Sequence, residues 1–97
     1  MENSIAPKPL FETGQILGTP GVIDAFRRNN EEFSVYLERH TSGDYGTIEE
    51  EDKKENEISI KKGFRILSSY TLKDGAKFWI ITEADRTVTT FLLPDEY

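Results

Sequence analysis

The sequence predicts an α+β fold, in which N-terminal helices pack on a C-terminal three-stranded antiparallel β-meander. Two observations predict it. Apolar residues recur at helical spacing up to about residue 62, and from Phe64 onward β-forming residues are divided by short turn sequences. Helices and strands that are segregated along a chain are typical of α+β domains. A length of 97 residues fits one domain, which we place at residues 10–97 behind a flexible arm at residues 1–9.

Two helices are predicted in the first half of the chain. The first begins at Pro20, because Thr19 is a good N-cap and proline is favoured at the first helical position. The second runs over residues 31–40 and carries a core-facing stripe formed by Phe33, Tyr36, Leu37 and His40. Both helices are expected to pack on one face of the sheet.

A third helix is predicted after a loop dense in turn residues. Thr47 and Glu50 match a capping box, so this helix is expected to start at Thr47 and to close at Gly63. Anions are favoured at the start of a helix, and its first turn is strongly acidic, with Glu49, Glu50, Glu51 and Asp52. Few apolar residues follow. The helix is therefore expected to be mostly solvated and to dock by a narrow face.

Three strands are expected next, over residues 64–72, 77–83 and 87–93. The first two are separated by the hairpin sequence Lys73-Asp74-Gly75, and the last two by a turn at Ala84-Asp85-Arg86. The most apolar segment, residues 77–83, is expected to be the central strand. The short apolar stretch Gln15-Ile16-Leu17 can add an edge strand.

Composition limits the classes of function. The net charge of −6 disfavours a general nucleic-acid binder, because phosphate contacts need clustered cations. The same charge suits a basic protein partner, or merely keeps the chain soluble. With no cysteine, one histidine and no phosphate-binding motif, neither a metal nor a cofactor is expected. No apolar run is long enough to span a membrane, and we expect a cytoplasmic protein.

His40 is the candidate for proton transfer, since histidine titrates near neutral pH. It ends an amphipathic helix on the apolar side, next to a glycine-rich loop. One interpretation is a half-buried residue that favours the helix dipole. The other is a general acid or base held at the mouth of a cleft.

Polar residues of the predicted strands are further candidates. Alternation places Ser68 beside Tyr70, where the two form either a polar floor or a solvated strand face. Arg86 with Arg65 can bind a phosphate or carboxylate in fork geometry, or pair with acids of the chain itself.

The loop at residues 41–46 is predicted to be the functional surface, because sites concentrate in loops on a rigid scaffold. Asp44 is expected to bond His40 or Arg39, and beside the histidine it would raise the histidine pKa. Tyr45 is expected to pack onto the sheet. Asp44 and Tyr45 are therefore candidate binding residues, together with the acidic start of the third helix. The alternative is that Gly43 merely closes the second helix.

Six strings of the sequence carry a resemblance: Thr19-Pro20-Gly21, Arg39-His40-Thr41-Ser42-Gly43-Asp44-Tyr45-Gly46, Glu55-Asn56-Glu57, Trp79-Ile80-Ile81-Thr82-Glu83-Ala84-Asp85-Arg86, Thr89-Thr90 and Leu92-Leu93-Pro94-Asp95-Glu96-Tyr97. Through them, nearly the whole chain after residue 10 resembles a family of small bacterial plasmid- and phage-associated proteins, the plasmid-related proteins. The resemblance implies a setting, mobile genetic elements, and no particular reaction. Tyr45 stands where the family is expected to have tryptophan, a departure that keeps the aromatic ring.

A weaker resemblance concerns the layout, which is similar to metal-independent RNases of the barnase, EndoU, colicin and RelE type. This likeness implies catalytic roles for His40, Tyr70, Arg86 and Thr90. Two hypotheses follow. One is a mobile-element accessory protein that binds a host or element protein, such as a defence component, through the acidic third helix; the other is a small RNase centred on His40. The incomplete catalytic set and the acidic charge favour the first.

Overall fold

A computed structural model describes residues 8–97 of the chain. Its elements are β1 (Gln15–Gly18), α1 (Pro20–Asn29), α2 (Phe33–Thr41), α3 (Glu50–Lys62), β2 (Ile66–Thr71), β3 (Lys77–Thr82), β4 (Val88–Leu92) and a 3-10 helix, Pro94–Glu96. The α+β class is confirmed, and each strand of the meander ends within two residues of its predicted limits. The predicted arm at residues 1–9 lies outside the described residues except for its last two.

The sheet has one strand more than the predicted meander and is mixed. Its four strands follow the order β1-β4-β3-β2, in which β2, β3 and β4 form the expected antiparallel meander. β1 joins as a fourth strand and runs parallel to β4, with Ile16 opposite Thr89. The edge strand that Gln15-Ile16-Leu17 could add is therefore present as β1, but its parallel pairing was not predicted, and an antiparallel three-stranded meander alone does not describe the sheet. Parallel neighbours need a long connection, and here all three helices lie in sequence between β1 and the meander.

Alternation sorts the strand side chains onto two faces of this sheet. α1 and α2 cover the helix face, where every strand side chain of the meander is buried: Ile66, Ser68, Tyr70, Phe78, Ile80, Thr82, Thr89 and Phe91. The outer face carries Leu17, Leu67, Trp79, Ile81, Thr90 and Leu92. On that face the Tyr97 ring lies 5.8 Å from Trp79.

α1 begins at Pro20, as its sequence predicts. Thr19 caps it by accepting the N–H of Val22, and Asn30 ends it in the left-handed region with φ at 51°. Phe26 then carries the helix into the main core, where its ring lies 4.9 Å from Phe78 and 4.2 Å from Phe33. Aromatic stacking of this kind adds to the burial of apolar area.

The side-chain carboxylate of Glu96, close to the C-terminus, completes the start of α1. Glu96 accepts the Gly21 N–H at 2.9 Å, the Thr19 hydroxyl and the Leu93 N–H at 2.9 Å. An anion at a helix N-terminus satisfies free N–H groups and complements the helix dipole. These bonds lower the pKa of Glu96, chiefly through the Thr19 hydroxyl.

The start of α3 differs from the prediction. The helix begins at Glu50 with Glu49 as its N-cap, and no side chain caps it, so the capping box at Thr47 was wrong. Thr47 bonds to β2 instead: its N–H and its hydroxyl both donate to the Ser69 carbonyl, at 2.8 and 3.3 Å. The predicted end at Gly63 is confirmed by its left-handed φ of 79°.

α3 docks beside the outer edge of β2 through polar contacts. Asn56 accepts the Leu67 N–H at 3.1 Å and donates to the Leu67 carbonyl at 2.7 Å. Arg86 donates to the Ser59 carbonyl at 2.8 Å. Asn56 and Ser59 are the buried residues of this helix, so the expected narrow docking face is confirmed.

Candidate functional site

The single histidine lies inside the protein and not at the mouth of a cleft. His40 is 0% exposed. Its Nδ1 lies 2.5 Å from Ser68 Oγ, and its Nε2 lies 2.9 Å from Thr82 Oγ1. Thr82 continues to Thr89 at 2.7 Å, and the Thr89 hydroxyl donates to the Thr13 carbonyl at 2.8 Å. We call His40, Ser68, Thr82 and Thr89 the histidine–hydroxyl chain.

The carbonyl at the end of this chain fixes the direction of every proton in it. Because Thr89 must donate to the Thr13 carbonyl, its oxygen accepts from Thr82. The Thr82 oxygen then accepts from Nε2–H of His40, and the unprotonated Nδ1 accepts from Ser68. With the other tautomer, no proton would lie between Thr82 and Thr89. The hydrogen bonds therefore assign a neutral His40 protonated on Nε2.

Apolar side chains enclose the histidine. Phe11 packs edge-on against its ring at 5.1 Å, and Tyr45 lies 6.4 Å away. Phe11 also lines an open groove of about 1040 Å³ between residues 8–14 and α2, so it stands between this groove and His40. Ser68 and His40 have the separation of a nucleophile and its base, but both are 0% exposed, and a substrate in the groove reaches neither.

Burial lowers the pKa of His40 from 6.5 to about 3. The charged imidazolium is disfavoured because the ring is buried away from solvent. The expectation that Asp44 would raise this pKa was therefore wrong. Of the two interpretations of the meander hydroxyls, the solvated strand face does not describe Ser68, Tyr70, Thr82 and Thr89, which are all buried, whereas Thr71 and Thr87 are exposed.

The structure does not bring the four proposed catalytic residues together. His40 and Tyr70 lie on the helix face, whereas Thr90 lies on the outer face opposite Ile81. Arg86 sits in the turn before β4 with φ at 61° and donates to the carbonyls of Ser59, Phe64, Glu83 and Ala84. It does not form an anion-binding pair with Arg65, which donates to the Tyr97 hydroxyl at 2.5 Å.

The loop at residues 41–46 is tied to α2 and to the sheet. Asp44 pairs with Arg39 at 2.8 Å, one of the two partners expected, and both side chains are about half exposed. This bond is the chief cause of the lowered pKa of Asp44, with a smaller contribution from Lys53 of α3. The Tyr70 hydroxyl donates to the Asp44 carbonyl, and the Arg39 guanidinium lies 4.6 Å from the Tyr70 ring. The loop is thus bonded to α2 through Asp44 and to β2 through Tyr70.

Tyr45 packs onto the sheet as predicted, and this removes it from the accessible binding surface. It is 4% exposed and forms a small core with Phe11 and Ile66. Within residues 8–97 its hydroxyl is the buried side-chain atom that finds no hydrogen-bond partner. The following Gly46 bridges to Ser69, and a Cβ there would lie 1.9 Å from the Ser69 carbonyl oxygen, so only glycine fits.

The acidic start of α3 is exposed along its whole length, at Glu49, Glu50, Glu51 and Asp52. Lys53 lies 3.7 Å from Glu50, a separation at which an exposed pair contributes little. Asp44 lies five residues before Glu49 in the chain, and the charge of Lys53 contributes to the lowered pKa of Asp44. Together they form an acidic surface that we call the α3–loop patch: Asp44, Glu49, Glu50, Glu51 and Asp52.

Sequence reasoning missed two residues that hold these elements in place. Asn56 had a readable signal, because it is an amide among charged residues and lies one turn before Ile60, which packs on the small core. Thr13 had none, since it contributes only a backbone carbonyl to Thr89. No local pattern reports where a carbonyl from a distant segment will point.

Metal and membrane sites find no support in residues 8–97. That part of the chain contains no group of three or more side chains placed to hold a metal ion, and none of its helices is long and apolar enough to cross a membrane. Comparison with family models, curated proteins and solved structures gives no significant match.

The free energy of unfolding should decrease as the pH is lowered through the range in which an ordinary histidine becomes protonated. The unfolded chain binds a proton near pH 6.5, whereas folded His40 stays neutral down to about pH 3. Its contribution is therefore complete above about pH 6.5 and is lost as the pH falls toward 3, at up to ~1.4 kcal/mol per pH unit. Denaturant unfolding between about pH 7 and about pH 5 measures this slope. The slope should be smaller in His40→Gln, and equal slopes in both proteins would contradict the assignment.

Removing the Tyr45 hydroxyl should stabilise the protein. The group is buried without a partner, so Tyr45→Phe should raise the free energy of unfolding by about 1 kcal/mol. Tyr70→Phe is the matched control, because Tyr70 is equally buried but its hydroxyl bonds the Asp44 carbonyl. It should lower the free energy of unfolding by about 1–2 kcal/mol. Thermal or urea unfolding measures both changes in the free energy of unfolding. A destabilised Tyr45→Phe or a stabilised Tyr70→Phe would refute the hydrogen-bond pattern.

Proposed function

We propose that the chain is a non-enzymatic protein-binding module, an accessory protein of a mobile genetic element that binds a host or element protein. The resemblance to plasmid-related proteins supports the mobile-element setting, and a defence component is the kind of partner that such a setting favours. The observation that carries the binding role is the α3–loop patch, which offers five exposed carboxylates within nine residues of the chain.

Rigidity and charge together support recognition of a basic surface. α3 is anchored by Asn56 and Ser59, while its acidic first turn faces solvent. Asp44 is fixed by Arg39 at 2.8 Å. Fixed like charges create a local potential that steers an oppositely charged partner and selects its orientation. A Lys- or Arg-rich protein surface is therefore the partner chemistry that fits.

The position of His40 argues against the RNase hypothesis, which was centred on this residue. Both ring nitrogens of His40 are engaged by buried hydroxyls, and the other three residues assigned to catalysis lie on different faces or in a turn. A general base must come within hydrogen-bond reach of the proton that it abstracts. The buried position of His40 therefore favours a structural role over a role as a general base.

Neutralising the acidic helix start should weaken partner binding. In Glu49→Gln/Glu50→Gln/Glu51→Gln/Asp52→Asn, four exposed contacts of about 0.3–0.5 kcal/mol each are lost, which gives a roughly tenfold weaker complex. The measurement is affinity capture from host extract at rising salt, followed by titration of the captured protein against both chains. Capture should decline by ~0.5 M salt, where exposed charges are screened.

A charge-matched control separates the patch from net charge. Glu12→Gln/Glu32→Gln/Glu38→Gln/Glu83→Gln removes four exposed carboxylates elsewhere on the surface and should bind as the wild type does. Circular dichroism shows whether α3 persists in both variants. Equal losses in the two variants, or capture that is insensitive to salt, would contradict the patch. Cleavage of total RNA by the wild type in EDTA would contradict the non-enzymatic role.

A further inference from the structure

The two edge strands of the sheet differ in whether other parts of the chain bond their outward-facing backbone groups. The outer edge of β2 is closed: Asn56 takes both backbone groups of Leu67, Tyr45 accepts the Ser69 N–H at 3.1 Å, and Thr47 donates to the Ser69 carbonyl at 2.8 Å. Proteins commonly cover an edge in this way, because free strand groups pair with other chains. The opposite edge, at β1, has no such cover within residues 8–97.

The backbone groups of β1 that face away from the sheet belong to Ile16 and Gly18. Gln15 and Thr19 donate inward, to the carbonyls of Thr87 at 2.9 Å and Phe91 at 3.0 Å. In a parallel pair alternate residues bond the neighbour, so the N–H and C=O groups of Ile16 and Gly18 point outward. The strand carries no charge, proline or bulge, the features that usually protect an edge.

β1 is also apolar on both of its faces. Ile16 lies on the helix side and is 42% exposed, and Leu17 lies on the outer side and is 43% exposed. Strands that are apolar on both faces are typical of the interior of a sheet. Beside Gly18 an apolar cleft of about 170 Å³ opens on the helix side, lined by Ile23, Phe33 and Phe91.

We propose that β1 pairs antiparallel with β1 of a second copy of this chain, about a two-fold axis at Leu17. In this register Ile16 of one copy lies opposite Gly18 of the other, and the two pairs form four backbone hydrogen bonds. The side chain of each Ile16 then meets the cleft beside the other copy's Gly18. The two Leu17 side chains meet across the axis on the outer face. The surface is self-complementary, as a two-fold interface requires.

The distribution of charge is compatible with a second copy as the occupant, which the self-complementary register favours. Each chain carries −6, but α3 lies at the β2 edge, the far side of the sheet from β1. Pairing at β1 gives an eight-stranded sheet in which the two β2 strands are about 34 Å apart at ~4.8 Å per strand. That distance far exceeds the Debye length of about 8 Å at physiological salt, so the acidic helices do not oppose association. The dimer is independent of the proposed function.

Sedimentation equilibrium of the full chain tests the dimer. A small interface suggests dissociation constants between about 1 µM and about 1 mM, and across this range the wild type should reach twice the chain mass of 11.1 kDa. Ile16→Lys should remain a monomer. Ile58→Lys is the matched control, since Ile58 is 44% exposed on α3, and it should dimerise as the wild type does. A monomeric wild type, or a dimer that survives Ile16→Lys, would overturn the proposal.

Cross-linking tests the register independently. Opposed residues of a non-hydrogen-bonded pair bring Cβ atoms to about 4.5 Å, close to the ~3.5–4.5 Å of a disulfide. The chain has no cysteine, so Leu17→Cys introduces a single thiol. Mild oxidation should convert it to a covalent dimer, whereas Ile58→Cys should stay monomeric. No cross-link at Leu17→Cys, or equal cross-linking in both, would refute pairing about Leu17.

Discussion

The histidine–hydroxyl chain is the constraint to which the other elements of this fold conform. It joins α2 to three strands of the sheet and to the segment before β1 through His40, Ser68, Thr82, Thr89 and the Thr13 carbonyl. Buried polar groups are costly unless every one is bonded. In the histidine–hydroxyl chain every hydrogen bond is donated in the same direction, and the last one is accepted by the Thr13 carbonyl. All of its polar groups are therefore satisfied together, and displacing one element of the fold would leave the others unpaired.

The same physical device recurs where elements from distant parts of the sequence meet. Asn56 joins α3 to β2, Arg86 joins the β3–β4 turn to α3, and Glu96 closes the start of α1. Each is a polar side chain that satisfies backbone groups left open at an edge or a helix end. The polar residues that first suggest chemistry therefore maintain the architecture, and the recognition that we propose lies on the exposed surfaces, the α3–loop patch and the free edge of β1.

Local chemistry was readable from the sequence, and long-range pairing was not. Thr19-Pro20 and Asp74-Gly75 locate a helix start and a hairpin because their effects act within a few residues. Thr47 misled because a good N-cap residue also pairs well with a strand, and only the presence of β2 decides between the two. His40 was readable as a core-facing position, but its partners lie 28 and 42 residues away. The parallel pairing of β1 with β4 has no local signal either.

The state of the His40 ring tests this account most directly. Because the chain has one histidine, its ring nitrogens and protons give a single set of nuclear magnetic resonance signals. Long-range ¹H–¹⁵N correlation from about pH 8 to about pH 4.5 spans the ordinary histidine pKa. We expect a neutral ring protonated on Nε2 whose signals do not change over this range. A ring that titrates near pH 6.5, or one protonated on Nδ1, would contradict the buried hydrogen-bond chain.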